Sequence, residues 1–286
     1  AIGSHGGVTS SSEYASQIGL DILKKGGNAI DAAVATAFAI GVVEPQYSGI
    51  GGAGLMTVYL ADQKKCTTLE YLETVPGDIT PGWYDKENDK YTAKNAAVPA
   101  QVHGLLTALE KYGTMTPAEV LEPVIELAKN GYVVNKTLGN ALNDGYEHIM
   151  STETGASIYT TDGFPYTEGD TIVNEPLAET LQKIADGGID EFYKGELAQQ
   201  IVDSLQANGS LIMYVSSAIM DALEQSTEFT RKIEMTQIAE GGMGIETRVT
   251  DIDGVPIMEV VDDERFYDAF GWEPENGGFA PQKKVA

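Results

Sequence analysis

The sequence is poor in positive charge and in the residues that build disulfides or histidine metal sites. Its 286 residues include 18 Lys and Arg against 43 Asp and Glu, a formal net charge of −25. A surface of that sign repels phosphate backbones and anionic lipids, so neither nucleic acid nor a membrane is an expected partner. With one cysteine and three histidines, neither an internal disulfide nor a His-built metal cage is expected. No metal or other cofactor is predicted.

Long apolar runs and targeting features are also missing. The longest candidate, 32–43, is shorter than the roughly 18–20 residues needed to cross a bilayer. The first residues, Ala-Ile-Gly-Ser-His, have neither the basic start nor the apolar stretch of a signal peptide. Two localisations stay open: the chain is cytoplasmic, or it is the mature or clipped form of an exported protein.

Arginine is distributed unevenly along the chain. The first 212 residues contain none, and all three arginines, Arg231, Arg248 and Arg265, lie in the remainder. Five of the eight methionines lie there too. Chance can produce such clustering, and so can the joining of two unrelated sequences near residue 212. Composition by itself leaves both explanations open.

Apolar periodicity predicts helices around a few strands. The predicted helices lie near 15–23, 29–43, 99–113, 117–131, 174–186 and 195–208, and the strands at 55–60 and 67–72. Asn28 with Asp31, and Thr116 with Glu119, have the spacing of capping boxes. Helix 29–43 is apolar on every face, which is typical of a helix inside a core. The pattern indicates a layered α/β domain.

The glycine-rich run 49–54 invites a phosphate-binding interpretation. It lacks the Lys-Ser/Thr of a P-loop, and it follows a buried helix rather than a strand. Both departures count against phosphate binding. Close packing of the backbone against a neighbouring strand or a ligand is the preferred interpretation.

Two kinds of candidate nucleophile or base have simpler explanations. His103 lies beside the apolar stripe of its helix, and the sequence near it contains no Ser or Cys in the setting of a nucleophile. A surface or hydrogen-bonded histidine is therefore preferred over a catalytic base. The pairs Thr67-Thr68 and Thr160-Thr161 are of the sort that precede self-cleavage in threonine-nucleophile enzymes. The first pair fits a strand and the second fits a turn with Asp162-Gly163, so a structural role is preferred for each.

Several motifs, in order, resemble the large subunit of γ-glutamyltransferases. They are 26–35 (GGNAIDAAVA), 44–54 (EPQYSGIGGAG), 98–104 (VPAQVHG), 111–115 (KYGTM), 127–132 (LAKNGY), 191–195 (EFYKG) and 208–209 (NG), within a nearly continuous likeness over 7–212. The resemblance implies a four-layer αββα N-terminal-nucleophile hydrolase fold, incomplete in this sequence. It also implies a precursor that cuts itself before a threonine. That threonine attacks the γ-glutamyl amide of glutathione-type substrates, with its own amine as general base.

The same resemblance implies that this chain alone is inactive. The nucleophilic threonine begins the small catalytic subunit, and nothing in the sequence resembles that subunit. No catalytic residue is therefore assigned here. The implied partners are the small subunit and a small-molecule substrate carrying a γ-glutamyl or other amide.

One substrate contact of the family is replaced. An arginine just after the second strand holds the α-carboxylate of the substrate in the family, and the aligned position here is Leu72, followed by Glu73. Both are candidate substrate-binding residues. A leucine cannot supply the charged, bidentate fork that a carboxylate requires, whereas Glu70 or Glu73 could bind a substrate amine. Glutathione is therefore disfavoured, and an amidohydrolase or acylase of other acyl specificity is the alternative.

Residues 213–286 do not continue that family. Segment 213–223 is typical of a strand running into a helix, and 247–250, 253–260, 263–267 and 278–279 follow it. Together they resemble the C-terminal portion of tailed-phage major capsid proteins. The resemblance implies an α+β capsid-like fragment with a structural role, and hence two regions, 1–212 and 213–286. A fusion of unrelated reading frames or an assembly artefact would account for the junction, and a capsid-type structural protein is the rival function.

Overall fold

The computed structural model describes residues 5–74, 82, 84–86, 93–207, 213–216, 249–252 and 255–260. The described residues within 1–72 and 99–192 form one compact unit, and those within 73–98 and 193–286 form a second. The helices are α1 Glu13–Lys24, α2 Ala29–Val43, α3 Gln101–Tyr112, α4 Pro117–Asn130, α5 Lys136–Asp144, α6 Tyr146–Met150, α7 Glu153–Tyr159, α8 Glu175–Tyr193 and α9 Glu196–Ala207. The strands are β1 Gly54–Leu60, β2 Lys65–Tyr71, β3 Tyr132–Val133, β4 Thr160–Thr161, β5 Phe164–Pro165, β6 Thr171–Ile172, β7 Met213–Ser216, β8 Val249–Ile252 and β9 Val255–Val260.

Helix α2 lies at the centre of the first unit. It packs against α1, α3 and α4, and most of its side chains are buried, among them Val34 and Phe38. This environment explains why a helix without a polar face is stable. The predicted stripe of α1 is buried as well, with Ala15, Ile18 and Ile22 turned into the core. Both helix predictions are confirmed.

The beginning of α2 is joined to the loop between α3 and α4. Asn28 and Asp31 form the predicted capping box, in which the Asn28 N–H donates to the Asp31 carboxylate at 2.7 Å. The Asn28 amide nitrogen also donates to the Tyr112 carbonyl at 2.7 Å. The Asp31 carboxylate accepts further hydrogen bonds from Thr114 and Met115. One cap therefore fixes a helix start and a distant loop together.

The two predicted strands form an antiparallel hairpin. Gly54 pairs with Tyr71 and Leu60 with Lys65, and the intervening turn includes Lys64 at φ 51°. One face of the hairpin is buried through Val58, Leu69 and Tyr71. The opposite face is exposed, because side chains alternate along each strand. Strand β2 ends at Tyr71, one residue earlier than predicted.

The remaining predicted helices are present, with changed ends. Helix α3 begins at Gln101 rather than at Pro99 and is capped by Gly113. Helix α4 has the predicted capping box of Thr116 and Glu119. The helix predicted to end near 186 is followed by a break at Gly188, whose φ of 65° and ψ of −148° are not helical, and a second short helical stretch then reaches Tyr193 within the range of α8. The glycine thus ends the first stretch close to the predicted position.

The segment between α4 and α8 contains short helices and two hairpins that the sequence did not reveal. Strand β3 pairs with β6, and β4 pairs with β5. The interpretation of Thr160 and Thr161 as turn residues was wrong, because both lie in β4. The turn itself consists of Asp162 and Gly163, whose φ angles of 52° and 81° suit a tight hairpin turn.

The second unit contains a small sheet in which β9 lies between β7 and β8. Strand β9 runs parallel to β7 and antiparallel to β8. The strand predicted at the start of 213–223 is confirmed, while the predicted helix lies outside the described residues. Within the described ranges no sheet has more than three strands. The two facing sheets of a four-layer fold therefore stay a prediction.

Candidate substrate-binding site

The glycine-rich run 49–54 is held against the start of α3 by backbone hydrogen bonds. The Gly52 carbonyl accepts the N–H groups of Ala100 and Gln101 at 3.0 and 2.8 Å. A Cβ built on Gly41 of α2 would lie 3.2 Å from the Gly49 Cα atom. Close backbone packing is thus observed at Gly49 and Gly52, but against helix α2 and the start of α3 rather than against the strand or ligand that was expected. The run connects three elements, namely α2, β1 and α3.

Strand β2 is fixed to α3 by a tyrosine ring. The side chain of Tyr71 is 8% exposed and packs on Gly104 of α3, where an added Cβ would collide with the ring. A Cβ on Gly54 would also lie 2.7 Å from the ring. Burial raises the pKa of the Tyr71 phenol. This packing sets where β2 ends and hence where the next residue, Leu72, is placed.

Leu72 and Glu73, the two candidate substrate-binding residues, both lie in solvent at the end of β2. Leu72 is 51% exposed, and Glu73 is exposed too. The next residue, Thr74, accepts a hydrogen bond from the Val98 N–H at 2.9 Å, in an isolated antiparallel bridge. Leu72 thus lies between the last residue of β2 and this bridge, and its exposed side chain is accessible to a ligand.

Leu72 follows an open, partly apolar face of the hairpin. Glu70 pairs with Leu55 across the strands, so both side chains lie on this face. Continued alternation would put Leu72, two residues beyond Glu70, on the same side. Leu55 and Tyr59 are each 62% exposed on this face. The Thr57 and Thr68 hydroxyls lie 3.4 Å apart between them. A face of this kind can receive an apolar group or a second polypeptide.

The other residues considered for chemistry have local structural roles. Burial lowers the pKa of the His103 imidazole, with the charge of Lys111 as a second cause, which favours a neutral ring. Thr67 and Thr68 lie in β2, as predicted. The Thr160 hydroxyl donates to the Ala156 carbonyl at 2.6 Å. A hydroxyl committed to a main-chain acceptor is poorly placed to act as a nucleophile.

Sequence reasoning missed one polar atom near the glycine run. Gln46, in the turn after α2, has a buried Oε1 atom that no donor among the described residues reaches. Its neighbour Tyr47 is 74% exposed. Nothing in the local pattern signals either property, because both depend on which other segments surround the turn.

The described part of the chain has neither a candidate metal cluster nor a candidate membrane-spanning helix. No group of three or more His, Cys, Asp or Glu side chains there is arranged to hold a metal ion. None of the helices that the structure describes is long and apolar enough to cross a bilayer.

Comparison with known proteins identifies the fold and the family. The solved structure of Helicobacter pylori gamma-glutamyltranspeptidase aligns with a TM-score of 0.67 and 34% identity over 73% of this chain and 62% of that chain. The described fold is thus that of part of an N-terminal-nucleophile hydrolase, helix-rich and of α/β composition. The sequence profile described as gamma-glutamyltranspeptidase matches residues 15–215. The chain belongs to this family.

The names of the curated relatives give two different activities, glutathione hydrolase and acylase. The glutathione hydrolase proenzyme of Bacillus subtilis strain 168 is 39% identical over 216 residues, covering 73% of this chain and 37% of that protein. The acylase ACY 1 proenzyme of Pseudomonas sp. strain SE83 is 37% identical over 225 residues, covering 74% and 40%. The chain thus spans well under half the length of these relatives. The resemblance of 213–286 to capsid proteins receives no support from these comparisons.

Proposed function

We propose that residues 1–212 form the large-subunit part of an amide-cleaving enzyme of the γ-glutamyltransferase type. The observation that carries the proposal is the family match over 15–215 together with 39% identity to a glutathione hydrolase proenzyme. On this proposal the chain supplies binding surface and support. A threonine at the start of a small subunit supplies the nucleophile and, through its amine, the general base.

The open face of the β1–β2 hairpin is the part of this chain that we assign to the substrate and the small subunit. It is exposed at Leu55, Tyr59 and Leu72, and the hairpin's two strands pair only with each other among the described residues. Exposed apolar side chains grouped in this way are typical of interaction sites. Substrate would bind at the end of β2, beside Leu72 and Glu73.

An acylase of other acyl specificity is the second candidate. Leu72 stands at the position where the family resemblance expects an arginine, and the first 212 residues contain no arginine that could replace it. On the hairpin face that ends near Leu72, Leu55 pairs with Glu70, whose side chain carries a carboxylate. This surrounding suits an apolar or amine-bearing acyl group better than one that ends in a carboxylate.

The division at residue 212, with a capsid-like second region, is a separate proposal. It predicts that 213–286 contributes nothing to amide cleavage and that removing it leaves a reconstituted enzyme as active as before. A loss of activity on removal would refute it. A capsid-type structural role for the whole chain would require assembly into shells instead of enzymatic turnover.

The main proposal is tested by reconstitution. The full chain is coexpressed with the threonine-initiated small subunit of the Bacillus subtilis relative and assayed with chromogenic acyl anilides. Activity is expected only with both components, and it should be lost when the leading threonine of the small subunit is changed to alanine. Turnover by the chain alone would contradict the assignment of the nucleophile.

A further inference from the structure

A cavity lies where the end of α3, the loop between α3 and α4, and the break in α8 meet. Its volume is about 450 Å³, which falls within the roughly 300–1,000 Å³ that small-molecule sites occupy. The residues that line it all belong to the first unit. The cavity therefore has the size that a small organic molecule requires, and the proposed function does not use it.

The wall of the cavity is mainly apolar. Leu106 and Leu109 of α3 line it from the core, and they are 4% and 3% exposed. Met115, Pro117 and Ile189 complete this wall and remain partly accessible to water. An apolar group that displaced water from these side chains would bind favourably, because the transfer of apolar surface out of water lowers the free energy.

The break in α8 leaves the cavity open. Gly187 and Gly188 line it. Among the described residues, nothing lies within 4 Å of a Cβ atom built on Gly188. The positive φ of Gly188 is also a conformation that other residues adopt at a cost. Both the conformation and the absence of a side chain at this residue therefore keep the space free.

The charged side chains that line the described cavity are Glu110 and Asp190, and both are acidic. Each is exposed, so the carboxylates lie at the rim and the apolar wall lies deeper. Glu110 is in the last turn of α3, where the helix dipole adds negative charge of its own. A cation beside Glu110 would be attracted by the carboxylate and by the helix end, whereas an anion would be repelled by both.

We propose that this cavity binds a primary amine with an apolar body. The ammonium group lies beside Glu110, and the body lies against Leu109, Met115 and Ile189. Charge complementarity selects this class of ligand, because the apolar wall accepts the body and the acidic rim accepts the ammonium group. The inference goes beyond the proposed function and requires no second subunit, since this chain supplies every group named.

The bound amine would also stabilise the loop between α3 and α4. Met115, which lines the cavity, donates its N–H to the Asp31 carboxylate at 3.2 Å. A ligand packed on Met115 therefore rests on a loop that is held to the start of α2. Since only the folded chain has the cavity, the ligand should raise the melting temperature.

The first experiment titrates the full chain with 4-phenylbutylamine in a calorimeter. The dissociation constant should be about 1 mM or lower. The matched probe 4-phenylbutan-1-ol has the same skeleton without the charge and should bind about two- to fivefold more weakly. The anion 4-phenylbutanoate, and ethylamine, which lacks the apolar body, should each bind more weakly still. Equal binding of the amine and the alcohol, or no binding of the amine at about 10 mM, would overturn the proposal.

The second experiment tests the position of the ammonium group with exposed side chains, whose replacement should leave the fold intact. Glu110→Gln should raise the dissociation constant of 4-phenylbutylamine about two- to fivefold. Glu126→Gln is the matched control, because Glu126 is an exposed carboxylate near the end of α4 that does not line the cavity. Equal effects of these two variants would overturn the proposal. So would a loss of affinity on Glu70→Gln with none on Glu110→Gln, which would place the amine on the hairpin.

The third experiment locates the apolar body by NMR of methyl-labelled methionines. Saturation with 4-phenylbutylamine should shift the Met115 methyl signal, which Met115→Leu identifies. The Met150 methyl is the control, because Met150 is 42% exposed on α6 and does not line the cavity. Equal shifts of both signals would mean unspecific adsorption and would overturn the proposal.

The melting temperature provides a further readout and keeps this inference separate from the proposed function. At about ten times the dissociation constant the melting temperature should rise by roughly 3–5 °C. An unchanged melting temperature would contradict binding to the folded chain. A chain that binds the amine but cannot be reconstituted into an active enzyme would refute the proposed function alone. An active reconstituted enzyme whose large chain binds no amine would refute this inference alone.

Discussion

Asp31 and Thr114 are separated by 83 residues and joined by two hydrogen bonds. The Asp31 carboxylate accepts the Thr114 hydroxyl at 2.6 Å and the Thr114 N–H at 2.9 Å. The same carboxylate, fully buried, also accepts from Asn28 and Met115. A charge that is buried with four donors is stable, whereas the same charge without them is not. This contact sets how the start of α2 meets the α3–α4 loop.

Replacing Asp31 should therefore destabilise the fold. Asp31→Asn turns one acceptor oxygen into a donor that faces other donors, and we expect the free energy of unfolding to fall by about 2–3 kcal/mol. Thr114→Val removes a single hydroxyl and should cost about 1–2 kcal/mol. Chemical denaturation measures both. Asp21→Asn, an exposed control on α1 paired with Lys24, should change little; an equal loss there would contradict the argument.

The same carboxylate should make stability depend on pH. Burial alone raises the pKa of Asp31, but hydrogen bonds from Thr114, Asn28 and Met115 outweigh it, so the pKa lies below the ordinary value of 3.8. A carboxyl whose pKa is lower in the folded chain stabilises the fold above its unfolded pKa, and this contribution is lost as pH falls through the folded value.

The stability difference between wild type and Asp31→Asn should therefore be largest above about pH 5 and shrink below about pH 4. Denaturation series at several pH values measure it. Glu119→Gln is the control, because the pKa of Glu119 is also lowered, by hydrogen bonds from Thr116, but its carboxylate is in solvent. The difference in stability between wild type and Glu119→Gln should be smaller than that for Asp31→Asn at every pH. A constant difference for Asp31→Asn would show that the carboxylate does not titrate in this range.

The Tyr71–Gly104 contact gives a prediction about packing. Gly104→Ala places a methyl group against the Tyr71 ring, and we expect a loss of about 1–3 kcal/mol despite alanine's better helix propensity. In a Tyr71→Gly background the ring and the Tyr71 Cβ atom, which would lie 2.4 Å from the new methyl group, are both absent, so the same substitution should cost little or stabilise α3. A double-mutant cycle measures the coupling. Additive effects would mean that the Tyr71 side chain does not limit the space at Gly104.

Local patterns predicted the elements that local forces determine. The capping boxes at Asn28 and Thr116 and the apolar helix α2 were predictable because each depends on residues within a few positions. The predicted helix end near 186 agrees with the break at Gly188, which also depends on a local residue preference. The short helical stretch after Gly188 was not predicted. Its Phe192 is 2% exposed, and that burial depends on tertiary contacts.

Long-range contacts were not predictable from a single sequence. Tyr71 and Gly104 lie 33 residues apart, and no spacing rule connects a strand tyrosine to a helix glycine. The unsatisfied oxygen of Gln46 is likewise a property of its surroundings. Leu72 was found only because a family resemblance supplied an expectation for that position, while its exposure came from the structure.

The last prediction concerns acyl specificity in the reconstituted enzyme. Leu72→Arg should increase the preference for γ-glutamyl anilide over 4-aminobutyryl anilide, which has the amine but lacks the α-carboxylate. Charge-assisted hydrogen bonds to a carboxylate contribute about 1.5–3 kcal/mol each. A gain of about 3 kcal/mol corresponds to roughly a hundredfold in the ratio of kcat/KM values.

A matched control separates a specific contact from a general effect of added charge. Tyr59→Arg introduces the same guanidinium on the same face, at a residue that is also exposed, but near the opposite end of the hairpin, where Tyr59 pairs with Cys66. It should change the ratio much less, because a bidentate pair requires the arginine to face the carboxylate directly. If both variants changed the ratio of kcat/KM values equally, general electrostatic attraction would explain the change, and a specific pair at position 72 would not be needed. A wild-type enzyme that already prefers γ-glutamyl anilide strongly would mean that other groups, such as a lysine or backbone N–H donors, bind the carboxylate in place of an arginine.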